Sequence, residues 1–203
     1  MVAMPDRSGE SEALPSALRS LEEAFLIGVP GTTEVWLIRH ADCYQGMTAH
    51  DDPSLSEVGR DQARRLAERV RRVGYDAVFS SPLRRAHETA LAITDQPSID
   101  DRLVEMGTEV ADGHIQFTEP PEEVVDRMRA SVDAAVAGRP GGRVIMVGHG
   151  VAIFQYLSDL LGLQFGALRL FPYYTCVNVV RALGDRRMVG SLADVAHLEA
   201  RRG

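Results

Sequence analysis

Val35-Trp36-Leu37-Ile38-Arg39-His40 is a run of four large apolar residues that ends on two basic ones. An unbroken apolar run, with Gly28, Pro30 and Gly31 just upstream, suits a strand covered on both faces rather than one that alternates between core and water. The strand is read over residues 34–39. The pattern returns twice. Residues 76–80 lead into Ser81-Pro82-Leu83-Arg84-Arg85, and residues 143–147 lead into Gly148-His149-Gly150.

Stretches with helical spacing separate these strands. Ser54 and Glu57 form a capping box for a helix with Val58, Leu66, Val70 and Val73 on one face, ended by Gly74. Its Arg64, Arg65, Arg69, Arg71 and Arg72 are read as a solvated face. Ser81-Pro82 opens a third helix containing residues 84–94, and residues 95–121 are read as a loop. A fourth helix turns Val124, Val125, Met128, Val132 and Val136 inward and breaks at residues 138–142. A fifth carries Val151, Phe154, Leu157 and Leu161. Residues 175–183 and 187–192, joined by Gly184-Asp185, read as a closing hairpin. Strands alternating with helices predict an α/β fold: a three-layer sandwich whose mainly parallel central sheet has helices on both faces.

At the other end, residues 1–13 are rich in Ser, Glu, Pro and Gly and are expected to form a disordered leader. Leu14, Leu18, Leu21, Phe25 and Leu26 then recur at helical spacing. This first helix is expected to cap the core; pairing with a second subunit, giving a homodimer, is the alternative. No repeat or linker divides residues 14–203, which are read as a single domain.

Composition narrows the function. With 203 residues and 45% hydrophobic content, the chain can bury one sizeable core. A formal net charge of -7 argues against a general nucleic-acid binder, whose affinity rests on Lys and Arg neutralising phosphates. No apolar run approaches membrane-spanning length, and the polar N-terminus lacks the apolar core of a signal peptide, so no membrane is expected and the cytoplasm is the expected location. Cys43 and Cys176 could be one buried pair or two free thiols, and no spaced metal-ligand motif is present, so neither metal nor cofactor is expected.

Parallel sheets place ligand sites beyond the carboxyl ends of their strands. If the three strands are neighbours, His40, His149 and at least two arginines meet there, beside helix N-termini that favour anions. Such a set suits a dianionic phosphoryl group. A neutral imidazole, with an ordinary pKa of about 6.5, is a competent nucleophile. A carboxylic acid would have to protonate the leaving alkoxide, and several carboxylates remain open for that task.

The segments at residues 37–42, 55–63, 80–90 and 147–150 resemble, in order, the motifs of the histidine phosphatase superfamily, the phosphoglycerate-mutase-like group of branch 1. The resemblance implies that His40 is the phosphorylated nucleophile, that Arg39 and Arg85 bind the phosphoryl group, and that His149 binds it and orients the site. It places the proton donor on Glu105 in Arg102-Leu103-Val104-Glu105, with Asp100, Asp101 and Glu109 as competitors. Members of this group need no metal. Two departures stand out: Ala41 replaces the usual glycine after the nucleophile and Asp42 the usual Glu, while the family's common Asn falls near Gly46. Leaving-group specificity is in question there. Residues 55–63 are read as structural, fixing the second helix.

Taken alone, His40 could be a structural histidine at a strand end, His149 a mark of a tight turn, and Arg85 a surface residue. His50, His87, His114 and His197 are read as surface residues, with His114 as a candidate substrate contact. Phe171, Tyr173 and Tyr174 are read as core or rim packing. The expected function is hydrolysis of a small phosphorylated substrate, a phosphomonoester, with residues 42–53 and 106–121 lining the leaving-group pocket. The alternatives are a phosphoglycerate mutase, a catalytically weak phospholigand-binding protein, and a metallohydrolase using His40, Asp42 and His149.

Overall fold

A computed structural model describes residues 8–43, 52–164, 166–170 and 172–199. His50, Gly46 and Phe171, the expected leader up to residue 7, and most of the 42–53 loop lie outside those residues.

The first strand, β1 (Thr33–Arg39), forms where the apolar run predicts it. It sits inside a six-stranded sheet with β2 (Ala77–Ser80), β3 (Ser98–Ile99), β6 (Arg143–Gly148), β7 (Val177–Leu183) and β8 (Arg186–Asp194), in the order β3-β2-β6-β1-β7-β8. The pairs β3–β2, β2–β6 and β6–β1 are parallel, and β7 and β8 close the sheet antiparallel. Helices α2 (Glu57–Val73), α3 (Arg84–Leu91), α4 (Pro121–Gly138) and α5 (Gly150–Leu160) cover it.

The two-faced burial is explicit along β1. Val35 and Leu37 pack with Met128 and Val132 of α4 and with Ile153 and Leu157 of α5. Trp36 and Ile38 pack on the opposite face with Leu66 and Val70 of α2 and Ala86 and Ala90 of α3. Each fully buried Leu or Ile removes apolar area worth about 1.5–3 kcal/mol, so β1 is the strand that both layers hold in place.

Several local expectations need correction. Helix α1 spans Ser8–Ala24, so the expected leader is helical from Ser8 onward. Its apolar face does not cap the core: Leu18, Leu21 and Phe25 are exposed, and Leu26, just past its end, is the buried residue. Helix α2 is capped by Ser56, whose Oγ accepts from the Gly59 N–H at 3.0 Å, and not by Ser54. Val58 and Val73 are exposed, and Gly59, Gln62, Ala63 and Ala67 join Leu66 and Val70 inside. At the fifth helix, Leu161 is exposed. Residues 95–121 are not a plain loop. They contain β3, a 3-10 turn (Asp101–Leu103), and a hairpin of β4 (Thr108–Ala111) and β5 (His114–Phe117). Among the described residues, no helix is long and apolar enough to cross a membrane.

Candidate active site

Because β2, β6 and β1 are adjacent, their carboxyl ends lie side by side. Arg39 stands opposite Gly148, and Ser80 opposite Val147. The ladder runs one residue further on each side: the His40 N–H donates to the Gly148 carbonyl at 2.9 Å, and the Ser81 N–H to the Val147 carbonyl at 2.9 Å. The fold thereby brings together Arg39, His40, Arg85 and His149, as the sequence predicts.

The two nitrogens of His40 have different partners. Nδ1 lies 2.8 Å from the Ala41 carbonyl, which can only accept, so Nδ1 carries the hydrogen. Nε2 lies 3.3 Å from the Nε–H of Arg85, which can only donate, so Nε2 keeps its lone pair. The ring is 2% exposed. Burial drives its pKa down to about 3; Arg85 and Arg39 push the same way, against the Ala41 bond. His40 is therefore neutral at neutral pH, with its unprotonated nitrogen turned to a guanidinium.

His149 is fully buried, its ring centroid 5.2 Å from that of His40. Nε2 is 2.9 Å from Ser81 Oγ, while Nδ1 is buried without a hydrogen-bond partner among the described residues. Burial first, then His40 and the arginines, hold its pKa well below the ordinary value.

Arg39 is anchored from 133 residues away: Nη1 donates to the Pro172 carbonyl, and the guanidinium lies 4.2 Å from the Tyr174 ring centroid, a cation–π contact. A Cβ at residue 150 would lie 3.3 Å from Arg39 Cδ, and one at 148 would lie 3.2 Å from the Leu103 carbonyl. The glycines flanking His149 thus admit the arginine and the neighbouring turn. Tyr174 is a site residue rather than rim packing, and no local sequence signal distinguishes it. The Thr175 N–H donates to the carbonyls of Arg39 (3.1 Å) and His40 (3.4 Å), and Thr175 Oγ1 lies 2.9 Å from His197 Nε2. His87 lies 3.2 Å from Ser80 Oγ. Both histidines are half-buried rather than on the surface as expected. His114 is exposed on β5.

The helix N-termini also depart from expectation. At α3 the Arg84 N–H donates to both Asp52 oxygens, at 2.9 and 2.8 Å, and Asp52 also pairs with Arg85 Nη1 at 3.4 Å. At α5 the Ala152 N–H donates to Glu105 Oε1 at 2.9 Å and the Val151 N–H to Oε2 at 3.3 Å, while Met106 N–H also reaches Oε1 at 2.9 Å. The chain's own carboxylates occupy both helix ends, for the same reason any anion would. Glu105 is the carboxylate beside the His149 helix. Asp100 instead accepts from Arg102 and from Ser131 at 2.6 Å, and Asp101 and Glu109 are exposed.

The two departures around the nucleophile have structural roles. Ala41 is fully buried against Leu55 and Ala63, and its N–H donates to Thr89 Oγ1 at 3.0 Å. Asp42 accepts from Ser56 Oγ at 2.6 Å, and its N–H donates to Gln62 Oε1 at 2.9 Å. A Cβ on Gly59 would collide with the Asp42 carbonyl, so residues 55–63 hold the segment after His40. Cys43 and Cys176 are buried free thiols. No group of three or more His, Cys, Asp or Glu side chains among the described residues is placed to hold a metal ion. A cleft of about 560 Å³ lined by Glu34, Tyr75, Arg143 and Arg181 opens at the other end of the strands, away from both histidines.

A family model described as the histidine phosphatase superfamily (branch 1) matches residues 35–195. A protein of Erwinia tasmaniensis called a probable phosphoglycerate mutase GpmB is 27% identical over 82% of this chain and 95% of its own length. Among solved structures, a mutant phosphoserine phosphatase of Entamoeba histolytica bound to phosphoserine superposes with a TM-score of 0.71 at 16% identity, covering 82% of this chain and 100% of that one. YhfR of Bacillus stearothermophilus superposes with a TM-score of 0.70 at 24% identity, with the same coverage. At such identities these two show a shared fold.

Proposed function

Since the chain belongs to the histidine phosphatase superfamily, whose members are phosphatases and mutases, it is an enzyme of phosphoryl transfer, and we propose that it hydrolyses a small phosphomonoester through a phosphohistidine on His40. The observation that carries this reading is the hydrogen bonding of His40: its Nδ1 is committed to Ala41 and its Nε2 lone pair faces Arg85.

In the first step His40 Nε2 attacks phosphorus and the bond to the leaving oxygen breaks. Arg39, Arg85 and His149 take the non-bridging oxygens, whose charge the arginines neutralise. Arg85 leaves its position on Nε2 as the phosphoryl group arrives. Glu105 gives its proton to the departing alkoxide. Oε1 already accepts two N–H groups and Oε2 one longer contact, so Oε2 is the oxygen with capacity to carry that proton. In the second step water attacks the phosphohistidine, Glu105 takes a proton from it, and inorganic phosphate leaves with His40 restored. No step calls for a metal ion.

The test is release of phosphate from an aryl phosphate by the intact chain and by His40→Ala. Turnover that His40→Ala retains would overturn the proposal. The naming of relatives as probable phosphoglycerate mutases favours a second reading, a mutase on the same site. An assay on 3-phosphoglycerate separates the two: hydrolysis releases phosphate, and a mutase instead yields the isomeric phosphoglycerate.

A further inference from the structure

We propose that Arg127 and Glu119 form a clamp that positions the Glu105 carboxylate, acting as positioning residues for the proton transfer; this rests on Glu105 being the proton donor.

Arg127 projects from α4 toward the segment that carries Glu105. Its Nη1 donates to the carbonyls of Arg102 and Val104, each at 2.8 Å. Its Nε and Nη2 form a two-pronged pair with Glu119, at 2.7 and 2.9 Å. Glu119 in turn accepts the Gly107 N–H at 3.0 Å. One ion pair therefore holds backbone groups at residues 102, 104 and 107, on both sides of Glu105. Gly107 is needed for that approach, since a Cβ there would lie 2.8 Å from Thr118 Oγ1 and 3.3 Å from Glu119 Cβ. From the other side, the first turn of α5 holds the carboxylate itself.

Between the 3-10 turn, closed by the Val104 N–H on the Asp101 carbonyl, and the hairpin, whose ladder reaches the Gly107 carbonyl through the Thr118 N–H at 2.9 Å, no sheet or helix bond fixes Glu105 and Met106. The side chains of Arg127 and Glu119 are only 16% and 21% exposed. A partly buried ion pair is a weak stabiliser compared with apolar packing of the same volume, and its fixed fork geometry is better suited to setting the position of what it holds. Proton transfer in the transition state is sensitive to such placement, where a shift of about 1 Å can cost roughly 100-fold.

The experiment compares kcat/KM, which runs through the first irreversible step, for two esters of contrasting leaving group: p-nitrophenyl phosphate and an alkyl phosphate such as glycerol phosphate. A departing nitrophenolate needs little help from an acid, and an alkoxide needs a proton. Glu105→Gln is the reference and should impair the alkyl ester by about 10²–10⁴-fold while impairing the aryl ester far less. Arg127→Gln and Arg127→Lys should reproduce that contrast in weaker form, about 10- to 100-fold on the alkyl ester. Should Arg127→Gln fail to fold, Glu119→Gln keeps the side chain's shape and carries the same expectation. Equal losses on both esters, or none, in the Arg127 and Glu119 variants while Glu105→Gln keeps its contrast would overturn the clamp alone. A flat response in Glu105→Gln would overturn the donor assignment and the clamp with it.

Discussion

Lowering the pH from 7.5 to 5.5 should weaken the fold through two imidazoles at the centre of the site. His40 and His149 are 2% and 0% exposed, and both have proton affinities depressed mainly by burial. In the unfolded chain each binds a proton around pH 6.5, whereas in the folded chain His40 does so only near pH 3. Below pH 6.5 the unfolded state therefore holds more protons, and stability falls as pH falls. One unit below 6.5 the His40 imidazole costs about 1.4 kcal/mol, and His149, depressed by the same burial, adds to the loss. Even the His40 share is appreciable beside the roughly 5–15 kcal/mol available to a domain. The assay is urea unfolding at several pH values between 7.5 and 5.5, for the intact chain and for His40→Gln. The carboxylates whose pKa values are lowered, Asp100 and Glu119 among them, contribute mainly at lower pH and leave this window to histidine. His197, pushed to about 4 chiefly by burial, adds a further part in the same direction. His40→Gln should flatten the slope by about one proton's worth. A stability that stays level across the window, or a slope that His40→Gln leaves intact, would mean that the buried imidazoles do not set this pH dependence.

Three further outcomes are expected. Arg85→Ala removes a charged donor from the proposed phosphoryl site and should lower kcat/KM by about 10- to 100-fold, the range for hydrogen bonds to charged groups; steady-state kinetics on an aryl phosphate would show it. Gly59→Ala adds a methyl that collides with the Asp42 carbonyl, so it should destabilise the chain by about 1–3 kcal/mol although alanine favours helices, with urea midpoints as the readout. Incubation with a chelator should leave the hydrolysis rate where it was; loss restored by a divalent ion would point to metal-assisted chemistry.

The strand ends that carry the candidate site are legible in the sequence because their chemistry is local. Arg39-His40, Ser81 to Arg85 and Gly148-His149-Gly150 each follow an apolar run, and parallel pairing of those runs leaves the basic residues no other place to meet. What the sequence hides is contact at long range. Pro172 reaches Arg39 across 133 residues and Tyr174 from two residues further on, and neither residue type announces a guanidinium partner. Arg127 reads as one more arginine of an amphipathic helix. The β4–β5 hairpin falls in the stretch read as a loop, although Asp112-Gly113, both of which adopt positive φ, form the tight turn that closes it. Its strands are short and exposed, with Val110 opposite Ile115, and the alternation that marks a half-buried strand is weak there. Helix α1 shows the limit of periodicity. The spacing of Leu18, Leu21 and Phe25 identifies the helix, but a period states nothing about what covers its face.

The most direct measurement is to quench turnover in alkali, where phosphohistidine survives, and to locate the phosphoryl group by mass spectrometry and ³¹P NMR. One phosphoryl group per chain is expected, on Nε2 of His40. Phosphate carried by another residue, attachment at Nδ1, or turnover through which no phosphoryl-enzyme ever forms would contradict it.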